Sequence, residues 1–192
     1  MVGKRTNIGA ALAASLALVS GTAWAQTPAR TSPGGANQRV SLEGCVGEYL
    51  FNGIWRLKVL GVRPFHKAPD RYNPARPGYA VSVELRNGTR ETLSPAQTGF
   101  DFAYGADDLI VADGTTYEEI TPNAVALKFR KVPQAGVLRA TLEFYAPEGT
   151  KVAQKATKLL MNVDFSRANA WQFRARYTTP TPSFRVNLTC QK

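Results

Sequence analysis

Guanidinium groups are the residues of this sequence whose type and placement offer the clearest chemistry. Arg139, Arg174, Arg176 and Arg185 each interrupt a run of alternating apolar residues, so all four are expected to point away from a packed core. A guanidinium is planar, stays charged, and forks onto carboxylate, sulfate or phosphate. These four are therefore the candidate anion-binding residues. An anionic glycan, a lipid head group or a protein partner would supply the matching charge.

Catalytic chemistry is harder to find. No Ser lies in a Gly-x-Ser-x-Gly elbow, no Gly-Lys-Ser/Thr loop is present to cradle a phosphate, and no His-x-x-x-His or Cys-x-x-Cys pair offers transition-metal ligands. The single histidine, His66, stands between Phe65 and Lys67 near Pro64 and Pro69 and is expected on an exposed loop. The sequons at Asn87 and Asn187 read as a hairpin turn and as the alternation of a strand. The expectation is a protein without a catalytic set, a cofactor or a bound metal.

Charge is unevenly placed along the chain, which carries a net +10. From Gln26 to Arg90 there are ten basic and four acidic residues, and from Lys128 to Lys192 twelve and three. Between them, Glu91 to Leu127 holds no Lys or Arg and seven carboxylates: Glu91, Asp101, Asp107, Asp108, Asp113, Glu118 and Glu119. Calcium takes several oxygen ligands at irregular spacing, but the regular Asp-x-Asp-x-Asp-Gly loop is absent. A solvated acidic loop region is the favoured reading, with a calcium site as the alternative. Basic rows elsewhere raise a positive potential that attracts polyanions, or else serve only solubility.

The N-terminus reads as an export signal. Lys4 and Arg5 precede an apolar run from Ile8 to Val19, and Ala23-Trp24-Ala25 places cleavage before Gln26. That run is shorter than the roughly 20 residues a transmembrane helix needs, and no later stretch reaches that length. The mature chain is expected in the periplasm or outside the cell, without a transmembrane segment. In an oxidising compartment an even number of cysteines pairs, so Cys45 and Cys190 are expected to form a disulfide, the alternative being two free thiols.

These groups need elements to position them. After the signal at 1-25, the segment 26-39 (QTPARTSPGGANQR) is rich in Pro, Gly, Ser and Thr, lacks periodicity, and is expected to be a disordered linker to a single domain at 40-192. From Val40 onward the dominant period is two. Trp55, Leu57 and Val59 alternate with Arg56 and Lys58; Tyr79, Val81, Val83 and Leu85 with Ser82, Glu84 and Arg86; Leu138, Ala140, Leu142 and Phe144 with Arg139, Thr141 and Glu143. The same pattern predicts strands at Val125 to Phe129, at Trp171 to Tyr177 and at Phe184 to Cys190, the last with Cys190 on the apolar face. Turn signals separate the runs at Asn52-Gly53, Asn87-Gly88, Asp113-Gly114, Pro147-Glu148-Gly149 and Pro180-Thr181-Pro182. Eight or nine short strands define an all-β, two-layer antiparallel sandwich, with a β-barrel as the alternative closure.

The order of FNGIWRLKVLGVRP, YAVSVELRNGT, LIVADGTTYEE and ATLEFYAPEGT resembles the telokin-like, immunoglobulin-like extracellular domains of bacterial secreted proteins and lipoproteins. That resemblance implies an Ig-like sandwich, often attached to the cell envelope, and supplies no catalytic residues. The chain departs from lipoprotein members in having no cysteine at the cleavage site. A non-catalytic binding or interaction module follows, against the alternative of a secreted enzyme or inhibitor whose site is scattered over loops. N-terminal sequencing of the exported protein should begin at Gln26, and recovery of an intact residue 1-25 segment would refute cleavage.

Overall fold

The computed structural model describes residues 42–68, 71, 75–102, 105–164 and 174–192. The expected signal, the linker, and Trp171 and Phe173 lie outside them. Among the described residues nine strands form: β1 (Leu42–Val46), β2 (Tyr49–Phe51), β3 (Trp55–Lys67), β4 (Arg76–Asn87), β5 (Asp107–Val111), β6 (Thr116–Glu119), β7 (Val137–Tyr145), β8 (Ala156–Met161) and β9 (Phe184–Gln191). A 3-10 turn at Pro95–Thr98 and a short helix, α1 (Ala124–Phe129), complete the described elements.

Pairing runs in the order β1-β9-β8-β5-β6-β7-β4-β3-β2. It divides into two layers at β6, whose Thr116 and Tyr117 pair with β5 and whose Glu118 and Glu119 pair with β7. The first sheet is therefore β1-β9-β8-β5-β6 and the second β6-β7-β4-β3-β2. At the opposite side the chain passes from β1 to β2 through a tight corner at Gly47, where φ is +88°. A Cβ there would meet the Lys192 carbonyl oxygen at 2.5 Å, so only glycine fits. Among the described strands every pairing is antiparallel except β1 with β9, which is parallel.

Period-two alternation fills the space between the layers. Trp55, Leu57, Val59, Val81, Val83, Leu85, Leu138, Leu142 and Phe144 enter it from the second sheet. Leu109, Val111, Leu159, Met161, Phe184 and Val186 enter from the first, and Phe184 stacks on Phe100 with ring centroids 5.9 Å apart. Each such side chain contributes about 1.5–3 kcal/mol on burial. The Trp55 indole N–H, which must find an acceptor in an apolar core, donates to Thr98 Oγ1 at 2.8 Å. Asp113-Gly114 forms the expected β5–β6 turn: the Thr115 N–H donates to Asp113 Oδ1, and Gly114 takes a φ of +86°.

Four expectations are corrected. Val125 to Phe129 is helical, because Asn123 adopts a left-handed conformation (φ 59°) and the Leu127 N–H reaches back to the Asn123 carbonyl. Ala124 and Leu127, three residues apart, then pack on the core while Val125 and Phe129 are exposed. His66 lies on β3 opposite Pro77, exposed but on a strand rather than a loop. Asn87 closes no hairpin: it ends β4, is buried, and its Nδ2 donates to the carbonyls of Glu91 (2.6 Å) and Val132 (2.8 Å). The segment from Glu91 to Leu127 is not a solvated acidic loop, since it forms β5 and β6 and buries Asp101, Asp107 and Glu119.

Cys45 and Cys190 are bonded, with Cα atoms 5.2 Å apart across the β1–β9 pair. The bridge spans 145 residues of sequence and ties the first strand to the last. In the chain-entropy account a loop of that size stabilises the fold by about 4–5 kcal/mol. Intact-mass measurement after alkylation of the purified protein should detect no free thiol, and reduction should lower the unfolding midpoint. Two alkylated cysteines in unreduced protein would overturn the assignment.

Candidate functional site

Strand alternation turns one side of the second sheet to solvent, and register then decides which side chains meet there. Tyr49 of β2 stands opposite Lys58 of β3, Lys58 opposite Glu84 of β4, and Glu84 opposite Arg139 of β7. In the next row Phe51 faces Arg56, Arg56 faces Arg86, and Arg86 faces Val137. Strands lie about 4.8 Å apart, so four cations and two aromatic rings occupy one continuous patch.

A single carboxylate organises it. Glu84 is 3% exposed although it lies on the outer face, because its neighbours close over it. The Tyr49 hydroxyl donates to Glu84 Oε1 at 2.7 Å, Arg86 Nε to the same oxygen at 2.6 Å, and Arg139 Nε and Nη2 to Oε2 at 2.9 Å. These donors, Tyr49 foremost, hold the Glu84 carboxyl down at about 2. Arg139, with its side chain 71% exposed, keeps most of its guanidinium open to solvent.

The remaining cations rest on the rings. Arg56 lies over Phe51 at 4.8 Å from the centroid, and Lys58 lies over Tyr49 at 5.0 Å. Arg86 covers Tyr49 as well, at 5.3 Å. Among the described residues neither Arg56 nor Lys58 forms an ion pair. The rings fix where their charge sits. With four cations to one anion, the patch is strongly positive and its groups are held in place.

Of the four sequence-derived arginines, only Arg139 belongs to this patch. Arg185 lies on β9 in the other sheet, 3.6 Å from Glu43. Arg174 and Arg176 are expected on a strand, but residues 174–177 are irregular. The backbone of Arg174 and Ala175 is held by Glu91, whose carboxylate accepts the N–H groups of Arg174 (2.9 and 3.1 Å) and Ala175 (3.1 Å). Arg56, Lys58 and Arg86 were legible as outward-facing, yet nothing local in the sequence says that β3, β4 and β7 are neighbours.

No family model and no curated protein matches the chain. Solved structures similar to it include the yjhA protein from Bacillus subtilis, at 14% identity and a TM-score of 0.47 over 75% of this chain and 98% of that one. A secreted protein from Mycobacterium tuberculosis, MPT63, is similar at 15% identity and a TM-score of 0.46, over 66% and 92% of the two chains. An uncharacterized β-sandwich protein from Clostridium difficile 630 is similar at 8% identity and a TM-score of 0.46, over 80% and 98%.

Because its folded-state value is lowered, the stabilisation that Glu84 provides is present above the ordinary carboxylate range near about 4 and is lost as pH falls toward about 2. Glu84→Gln should therefore cost about 1–3 kcal/mol in denaturant unfolding at pH 7. The gap to wild type should close in strong acid. An unchanged midpoint at pH 7 would show that Glu84 does not anchor the patch.

Proposed function

We propose that this chain is an exported, non-catalytic binding module of the cell envelope, an Ig-like domain of the telokin-like kind, that engages an anionic glycan across the outer face of its second sheet. The observation that supports this reading is the grid of Arg56, Lys58, Arg86 and Arg139 beside Tyr49 and Phe51, with Glu84 as its one carboxylate. Guanidinium groups at strand spacing suit a ligand that repeats carboxylate or sulfate along its length. Ring edges beside them offer apolar surface to a sugar. No helix among the described residues is long and apolar enough to cross a membrane. The disulfide between Cys45 and Cys190 accords with an oxidising compartment.

Binding of this kind is broad in ligand choice and falls steeply with salt, because the screening length shrinks from about 10 Å at 0.1 M to about 3 Å at 1 M. A heparin titration at both salt levels tests it on wild type, Arg56→Glu/Lys58→Glu and Arg174→Glu/Arg176→Glu. Heparin should bind at low salt, release at high salt, lose affinity for the first double variant and keep it for the second. Absence of binding at low salt would reduce the patch to a solubility coat. Capture by anionic lipid vesicles without heparin binding would assign the face to a membrane surface and overturn the glycan.

A further inference from the structure

The second charge feature of the fold faces inward, and its argument is independent of the basic patch. Asp107 of β5 shares its face with Leu109 and Val111, and Glu119 of β6 shares its face with Tyr117, so both carboxyls enter the core. Asp107 is 1% exposed and Glu119 0%. The Asp107 N–H donates to Glu119 Oε2 at 3.1 Å, and Thr121 Oγ1 donates to Oε1 at 2.8 Å. Asp107 Oδ1 accepts the Asn162 N–H at 2.9 Å, while its Oδ2 is buried without a hydrogen-bond partner.

Among the described residues, no cation is paired with either of these carboxyls. Asp108 on the same strand and Asp101 on the preceding loop both face the pair electrostatically, and both are carboxyls. Lys128 of α1 is bound to Asp101. On the flanking strands the residues in register are Met161 opposite Asp107 and Phe144 opposite Glu119, neither of which titrates. Arg76 is directed at Glu118, on the other face of β6. An anion buried beside other carboxyls, with one oxygen unpaired, is far costlier than a neutral carboxyl in the same place.

We infer that Asp107 and Glu119 form a proton-holding carboxyl pair that locks β6, the strand shared by both sheets, in acid and loosens it as pH rises. Burial pushes Asp107 well above the usual carboxylate range, with the Glu119 charge adding to it, and burial pushes Glu119 up to about 7. Between the ordinary value near about 4 and about 7, the folded chain keeps protons that the unfolded chain has lost. Stability therefore falls as pH rises through that window. Glu84 has the opposite sign and acts only below it. The two titrate as a unit, so loss of the second proton places negative charge at the point where β6 leaves one sheet for the other.

Thermal unfolding of the full mature protein at pH 5 and pH 8 tests this, with wild type, Asp107→Asn and Glu119→Gln. The wild-type midpoint should fall by several degrees from pH 5 to pH 8; Asp107→Asn should remove most of that fall and unfold higher than wild type at pH 8. Infrared spectroscopy of wild type near pH 6, where exposed carboxyls are ionised, should retain a protonated-carboxyl band, which keeps the test valid if a variant does not fold. A wild-type midpoint that is flat or rises from pH 5 to pH 8 would overturn the pair, as would absence of the band. A large upward shift of the pH 8 midpoint with millimolar calcium, lost in Asp107→Asn, would assign the pair to a cation and overturn it equally.

Discussion

Strand β6 pairs with both sheets within four residues, and the arrangement of everything else depends on how that is done. Thr116 and Tyr117 complete the edge of the first sheet, and Glu118 and Glu119 complete the edge of the second. An open sheet edge would present unpaired N–H and C=O groups. One strand shared between layers removes two edges at once, and the alternation along it sends Tyr117 and Glu119 inward. On the far side the same problem is met differently, by the Gly47 corner between β1 and β2 and by the parallel β1–β9 pair carrying the disulfide. The sandwich is thus nearly closed on both sides, which is why a barrel remains a close geometric relative of this fold.

Carboxylates do opposite work on the two faces of these sheets. Glu84 lies outside the core and is covered by its own partners, a tyrosine and two arginines that prefer it ionised. Asp107 and Glu119 lie inside, among other carboxyls, where the charged form is disfavoured. Desolvation acts on all three, and what separates them is that Glu84 accepts from Tyr49 and two arginines while Asp107 and Glu119 lie beside further carboxyls. The proposed binding patch depends on the first situation, because Glu84 fixes Arg86 and Arg139 without neutralising the whole grid. The inferred pH response depends on the second. Charge placement, rather than net charge, is what gives this domain its chemical character.

Local pattern determined a large part of this. The parity of Trp55, Leu57 and Val59, of Val81, Val83 and Leu85, and of Leu138, Leu142 and Phe144 is the parity of the core, because burial on one sheet face imposes a period of two. The cysteine pairing followed from count and compartment. Local pattern failed where alternation was accidental: Val125, Leu127 and Phe129 alternate on paper but have no sheet to join, so the left-handed Asn123 starts a helix instead. It failed again at Arg174 and Arg176, where residues 174–177 are irregular and the Glu91 carboxylate accepts the Arg174 and Ala175 N–H groups.

Sequence by itself determined that the chain is all-β, which face of each central strand is wet, and that Arg139 points outward. Only the tertiary structure decided which outward residues share a surface. Arg56, Lys58, Arg86 and Arg139 come from three strands separated by up to 83 residues, and their meeting follows from the β3–β4–β7 register rather than from any local signal. The same holds for Asp107 and Glu119, whose burial depends on β5 and β6 being inserted between β8 and β7. A carboxylate in a sequence carries no mark of whether its neighbours will be water, arginine or another carboxylate, because that environment exists only once distant strands have paired.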